Sequence, residues 1–231
     1  MSLKTLMVDF PSNGQKTPGY LAQPAADKQC PAVVVIQEWW GLVPHIKEVT
    51  EGFAAQGYIA LAPDLYHGQQ ADEPDEARKL AMALDRDQAV AEISAAVRYL
   101  KGLPAVRPKK VGVVGWCMGG GLALSAAADD GEIAAAVCFY GRPLAKTDTT
   151  RLATPVLGLY ASEDHGISVE SVHAFEAELA QYGVPHEVHV YEGAHHAFFN
   201  DTRSVYDPTA AEDAWRRTLA WFRKYLSDEI A

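Results

Sequence analysis

Four stretches in the middle of the chain, AVVVIQ (32–37), YIALAP (58–63), KVGVVG (110–115) and IAAAVCFY (133–140), are short, apolar and without polar alternation. A strand that is apolar at every position offers no face to water. It has to be covered on both sides, and chains do this with a parallel sheet whose crossover helices lie on its two faces. Further strand candidates flank these four: TLMVDF (5–10), GYLAQP (19–24), PVLGLYA (155–161) and HEVHVYE (186–192). The first two are polar enough to read as edge strands. Helical period is clearest at Val90, Ile93, Val97 and Leu100, at Val172, Phe175, Leu179 and Tyr182, and at Trp215, Leu219, Phe222 and Leu226. Each set gives one apolar stripe suited to a sheet face. Gly57 and Gly183 fall where a helix needs a left-handed residue to stop. The small-residue stretch MGGGLALSAAADD (118–130) suits a helix packed close on the sheet. The expectation is an α/β fold, a mostly parallel central sheet of about eight strands with helices on both faces, in a single domain over residues 1–231.

Charge and cysteine usage narrow the partners. A formal net charge of −10 with no basic stripe argues against nucleic acid. The N-terminus MSLKTLMVDF has no apolar signal region, no apolar run reaches membrane-spanning length, and Cys30, Cys117 and Cys138 form neither a disulfide framework nor a C-x-x-C pair. The expected setting is cytoplasmic, with no membrane partner. No G-x-G-x-x-G or Gly-Lys-Ser/Thr loop is present at 111–120, so no nucleotide cofactor is expected there.

The chemistry concentrates in VGVVGWCMGG (111–120). Gly115-Trp116-Cys117-Met118-Gly119 fits G-x-nucleophile-x-G, a strand-to-helix elbow whose flanking glycines let the turn close. At a helix start Cys117 would feel the positive end of the dipole, which favours thiolate. A buried cysteine in a glycine-rich packing turn is the plainer reading of the pentapeptide alone. Downstream residues tilt the balance. Asp164 follows the strand PVLGLYA and His196 follows HEVHVYE, giving the chain order nucleophile, acid, histidine. Glu163 competes with Asp164, and His195 with His196, and at this level both pairs stay open. His186 and His189 are an odd number of residues apart on a strand and face opposite sides, so they make no metal pair. Adjacent histidines rarely converge on one ion, which leaves His195, His196 and Asp164 a weak metal set. No metal is expected.

The chain resembles the dienelactone hydrolases of the α/β-hydrolase superfamily over nearly its whole length. The likeness is carried by VVVIQEWWG (33–41), GYIALAPDLY (57–66), VGVVGWCMGG (111–120), ASEDHGIS (161–168) and YEGAHHAFFN (191–200). The resemblance implies an α/β-hydrolase fold, Cys117 as nucleophile, Asp164 as acid, and His196, which precedes a small residue and Phe, as the histidine. It also implies a role for Glu38 in switching the thiol to thiolate. By position, the backbone N–H groups of Trp39 and Met118 would form the oxyanion hole. Trp40 is expected in a pocket wall. One departure stands out: where the best-known members carry a substrate-gripping arginine shortly after the histidine, this chain has Asn200. Asn200 and Arg78 are candidates for substrate contact, with Arg142 a weaker one. The expected activity is opening of a lactone or small ester through an acyl-thioester. The alternative is a small-molecule binding protein that keeps the fold and has lost the chemistry.

Overall fold

The computed structural model describes residues 2–26 and 28–227. Its elements are β1 (Leu3–Ser12), β2 (Gln15–Pro24), β3 (Cys30–Ile36), α1 (Pro44–Ala55), β4 (Ile59–Pro63), α2 (Pro74–Ala83), α3 (Arg86–Gly102), β5 (Val106–Trp116), α4 (Met118–Asp129), β6 (Ile133–Phe139), α5 (Lys146–Thr149), β7 (Val156–Glu163), α6 (Val169–Gln181), β8 (His186–His195) and α7 (Pro208–Leu226). The eight strands form one sheet in the order β1-β2-β4-β3-β5-β6-β7-β8. The β1–β2 and β2–β4 pairs are antiparallel and every other pair is parallel.

The two-sided burial expected of the central strands has a direct cause in the pleat. In β3, Ala32, Val34 and Ile36 enter one core with residues of α3, α4 and α6, while Val33 and Val35 enter the other with residues of α1 and α7. An apolar residue is therefore needed at every position. The three expected helical stripes lie in α3, α6 and α7. Gly57 and Gly183 take φ of 91° and 70° just beyond α1 and α6. Among the described residues no helix is long and apolar enough to cross a membrane.

One expectation needs correction. GYLAQP is not an edge strand: β2 lies between β1 and β4, and the outer edges are β1 and β8. Its polar residues are tolerated because the antiparallel ribbon it forms with β1 leaves part of its surface in water. The polar stretch 67–79 contains the start of a helix, α2, with Pro74 in its first turn and Asp75 and Glu76 beside the helix N-terminus.

Strand order positions the site. From β3 the chain moves to β4 on one side, then crosses back to β5 on the other. The loops after β3 and β5 therefore diverge above their carboxyl ends and leave a crevice, the usual place for a ligand in an open parallel sheet.

Candidate active site

Cys117 is the single residue between β5 and α4, with φ 55° and ψ −118°. L-residues seldom adopt this conformation, and holding one there costs on the order of 1–3 kcal/mol. The surroundings enforce it. A Cβ on Gly115 would lie 2.1 Å from the Gly119 carbonyl oxygen, and one on Gly119 would lie 2.3 Å from the Gln37 oxygen and 2.6 Å from that of Ile36. Both glycines are thus required by backbone packing between β5, α4 and the end of β3. The Cys117 N–H donates to the Phe139 carbonyl at 3.0 Å, and its own carbonyl accepts from Gly120 and Gly121. Met118 opens α4, so its N–H has no acceptor within the helix and stands at the positive end of the dipole.

Asp164 and His196 follow β7 and β8. The Asp164 carboxylate is buried and spends one oxygen on the N–H groups of Gly166 (2.8 Å) and Ile167 (3.1 Å). Its other oxygen meets His196 Nδ1 at 2.5 Å. With Nδ1 committed to Asp164, the hydrogen bond that His196 shares with Cys117 falls to Nε2. Burial alone would lower the imidazole, but the hydrogen bonds to Asp164 and Cys117 and the charges on both outweigh it and push it up to about 10. Burial would raise the Asp164 carboxyl, and here His196 and the two backbone donors win and hold it below its ordinary value. Of the adjacent candidates, Glu163 and His195 are exposed, and it is Asp164 and His196 that meet.

Glu38 stands just past the end of β3 and is 2% exposed. The Tyr140 hydroxyl donates to Oε1 at 3.3 Å and the Asn200 Nδ2 to Oε2 at 2.7 Å. Burial raises its carboxyl above the ordinary value, against the opposing influence of His45, Asn200, His196 and Tyr140.

These groups border a cavity of about 400 Å³ lined by Glu38, Trp39, Trp40, Cys117, His196, Ala197, Arg203, Ser204 and Val205. Trp40 forms one wall. Its support comes from the stretch 67–79, which does not line this cavity: Ala71 N–H donates to the Trp40 carbonyl at 3.0 Å, the Gln70 side chain donates to the Leu42 carbonyl, and Ala71 and Ala77 pack on the indole.

The substrate-contact candidates are redistributed. Arg78 is 65% exposed on α2 beside Asp75, away from the cavity, because α2 turns it to solvent. Arg142 lines a different hollow with His165 and Glu178. Asn200 is 1% exposed and faces Glu38, so it belongs behind the wall and not on it. Two residues escaped the sequence reading. Arg203 enters the cavity with its guanidinium 3.8 Å from the centre of the Trp40 ring. Its buried Nε has no hydrogen-bond partner, and among the described residues no carboxylate pairs with it. The signal was available as the only arginine within a few residues of the HHAFFN motif, but at a spacing that sequence alone does not fold into the pocket. Tyr140, the last residue of IAAAVCFY, adopts φ 37° and packs its ring 5.0 Å from that of His196.

A model of the dienelactone hydrolase family matches residues 17–226. "Protein usf" of Aquifex pyrophilus is 40% identical over 230 residues, covering 96% of this chain and 99% of that protein. A protein of Aquifex aeolicus (strain VF5) named "Putative carboxymethylenebutenolidase" is 38% identical over 229 residues, covering 95% of this chain and 98% of that one. Among solved structures, the "Putative Dienelactone Hydrolase from Klebsiella pneumoniae subsp. pneumoniae MGH 78578" superposes with a TM-score of 0.87 at 30% identity, covering 97% of this chain and all of the other.

Proposed function

The chain belongs to the dienelactone hydrolase family, hydrolases of the lactone and ester type with the α/β-hydrolase fold, and from that premise we propose that it uses Cys117, His196 and Asp164 to open a lactone or small ester. The observation that carries the reading is the run of contacts from the strained Cys117 through His196 to the buried Asp164. His196 takes the thiol proton and becomes an imidazolium stabilised by Asp164. The thiolate adds to the carbonyl carbon, and the new oxyanion is received by the N–H groups of Met118 and Trp39. The ring C–O bond then breaks, His196 returns its proton to the departing oxygen, and a thioester to Cys117 remains. Water, deprotonated by His196, attacks the thioester and releases the hydroxy acid and the thiol. Glu38, buried beside the same cavity, receives that one thiol proton first and hands it on to His196 for delivery to the departing oxygen, so the reaction needs Glu38 ionised.

Acid-quenching the enzyme during turnover of a slow aryl ester and weighing the intact chain tests this. The expected result is a transient acyl adduct that peptide mapping places on Cys117. Turnover that proceeds with no adduct there, or with one on another residue, would overturn the thioester mechanism, and the absence of turnover would favour the binding-protein reading.

The free guanidinium of Arg203 points to a substrate that carries a carboxylate. The ring of Trp40 holds the planar group from one side and leaves its N–H edge for the ligand. Arg203→Met keeps an unbranched side chain of similar reach but removes the charge and the N–H donors that stack on Trp40. It is expected to raise KM for a carboxylate-bearing lactone by roughly 10- to 100-fold, the worth of a charge-assisted hydrogen bond. A neutral lactone of the same size should lose only a few-fold. Equal losses for the two substrates would remove the carboxylate from the reading.

A further inference from the structure

The buried carboxyl of Glu38 is held in an unusual way. Both of its oxygens accept from neutral groups, Tyr140 on Oε1 and Asn200 on Oε2. The Asn200 carboxamide could face Glu38 with either end, and a donor is presented only if something fixes the other end. Thr202 does so twice: its backbone N–H donates to Asn200 Oδ1 at 3.0 Å and its hydroxyl at 2.6 Å. Were the amide turned round, two acceptors would meet at Glu38 and donors would meet at Thr202, leaving the buried Glu38 oxygen and the buried Asn200 amide without their partners.

We propose that Asn200 is a positioning residue, oriented by Thr202, that holds Glu38 by Oε2 so that Oε1 alone exchanges a proton with the Cys117 thiol. A carboxyl group carries its proton preferentially on the oxygen that accepts the weaker hydrogen bond, and the 3.3 Å bond from Tyr140 to Oε1 is longer than the 2.7 Å bond from Asn200 to Oε2, so the relay settles which oxygen is the base. Neither residue touches substrate in this arrangement. The inference rests on the reading of Glu38 as a proton acceptor. The ionisable groups that act on Glu38 are Tyr140 from the end of β6, His196 from the end of β8 and His45 from α1, with the thiol of Cys117 from the elbow on the same cavity.

The test compares pH profiles of kcat/KM for Glu38→Gln, Asn200→Asp, Thr202→Val and Thr202→Ser, with thermal unfolding recorded for each. Asn200→Asp keeps the shape of the side chain but sets a second carboxyl against Oε2. The two must then share a proton, and the acid limb is expected to move upward by about one pH unit or more. Thr202→Val loosens the amide and shifts the limb the same way by less. Because Thr202 is exposed, this variant perturbs the core little. Thr202→Ser restores the parent limb. Glu38→Gln abolishes it. If Glu38→Gln removes the limb while Asn200→Asp and Thr202→Val leave it in place, the positioning role is wrong and the role of Glu38 stands. If Glu38→Gln itself keeps the limb, both fall. A raised KM for carboxylate substrates with an unmoved limb would show that the turn acts only on Arg203, whose N–H donates to the Asn200 carbonyl, and would likewise overturn the proposal.

Discussion

Cys117→Ala is expected to lower kcat by about 10⁴-fold or more on lactones and activated esters, since removing the nucleophile leaves only the oxyanion donors and the cavity to favour the transition state. The same variant should unfold at nearly the parent temperature. Alanine inherits the left-handed φ of 55°, so the strain of the elbow persists and little packing is lost from a partly exposed side chain. That separation of activity from stability is what makes the result interpretable. Initial rates on an aryl ester, set beside a melting curve, check it. Retention of the parent rate would mean that the sulfur is structural, and the buried-cysteine interpretation of the turn would return.

Asp164→Asn is expected to cost about 10³- to 10⁴-fold in kcat for a different reason. The Asn oxygen can keep the N–H groups of Gly166 and Ile167, which leaves its NH₂ facing Nδ1 of His196. The ring then adopts the tautomer in which Nδ1 accepts, and Nε2, already bearing hydrogen, cannot take the thiol proton. Loss of the carboxylate also removes a main reason that the imidazole is held up at about 10, so its apparent value should fall. Nitrogen NMR of the histidine ring reads both the tautomer and the titration. The pair also shapes stability with pH. Asp164, whose carboxyl lies lower in the fold than in the unfolded chain, contributes stability that is present above the ordinary carboxylate range and lost as pH falls through the folded value. His196, raised from 6.5 to about 10, contributes stability that is complete below 6.5 and lost as pH climbs through about 10. Unfolding titrations of the asparagine variant should lack the acid slope and show a smaller alkaline one, since Cys117 still acts on His196. A variant that keeps the parent tautomer and rate would remove Asp164 from the mechanism.

The parts of the molecule that were legible in the sequence are those whose residues answer to a local rule. Unbroken apolar runs gave the central strands, because burial on both faces leaves no room for polar alternation. Gly115 and Gly119 gave the elbow, because two backbone approaches near 2 Å admit nothing larger. The order of Cys117, Asp164 and His196 followed from strands β5, β7 and β8 lying in chain order across the sheet. What depended on distant packing stayed hidden. Whether Asp164 or Glu163 meets a histidine turns on side-chain direction at the end of β7, which periodicity does not encode. Arg78 and Arg203 look alike as letters, yet one projects from α2 into solvent while the other is drawn onto Trp40 by a turn whose shape comes from side-chain bonds at Asn200. The place of β2 inside the sheet depends on β4 pairing across a gap of some 40 residues of sequence, a long-range contact with no local mark.

Cys117, Tyr140 and Ala197 all hold left-handed backbone without being glycine, and they sit just past the carboxyl ends of β5, β6 and β8 on one edge of the sheet. Cys117 is kept there by the main chain around it, not by anything its own side chain gains. The frame is therefore indifferent to which atom it displays at its tip, and a chain of this architecture can exchange sulfur for oxygen, or reshape the rim, without redrawing the scaffold beneath.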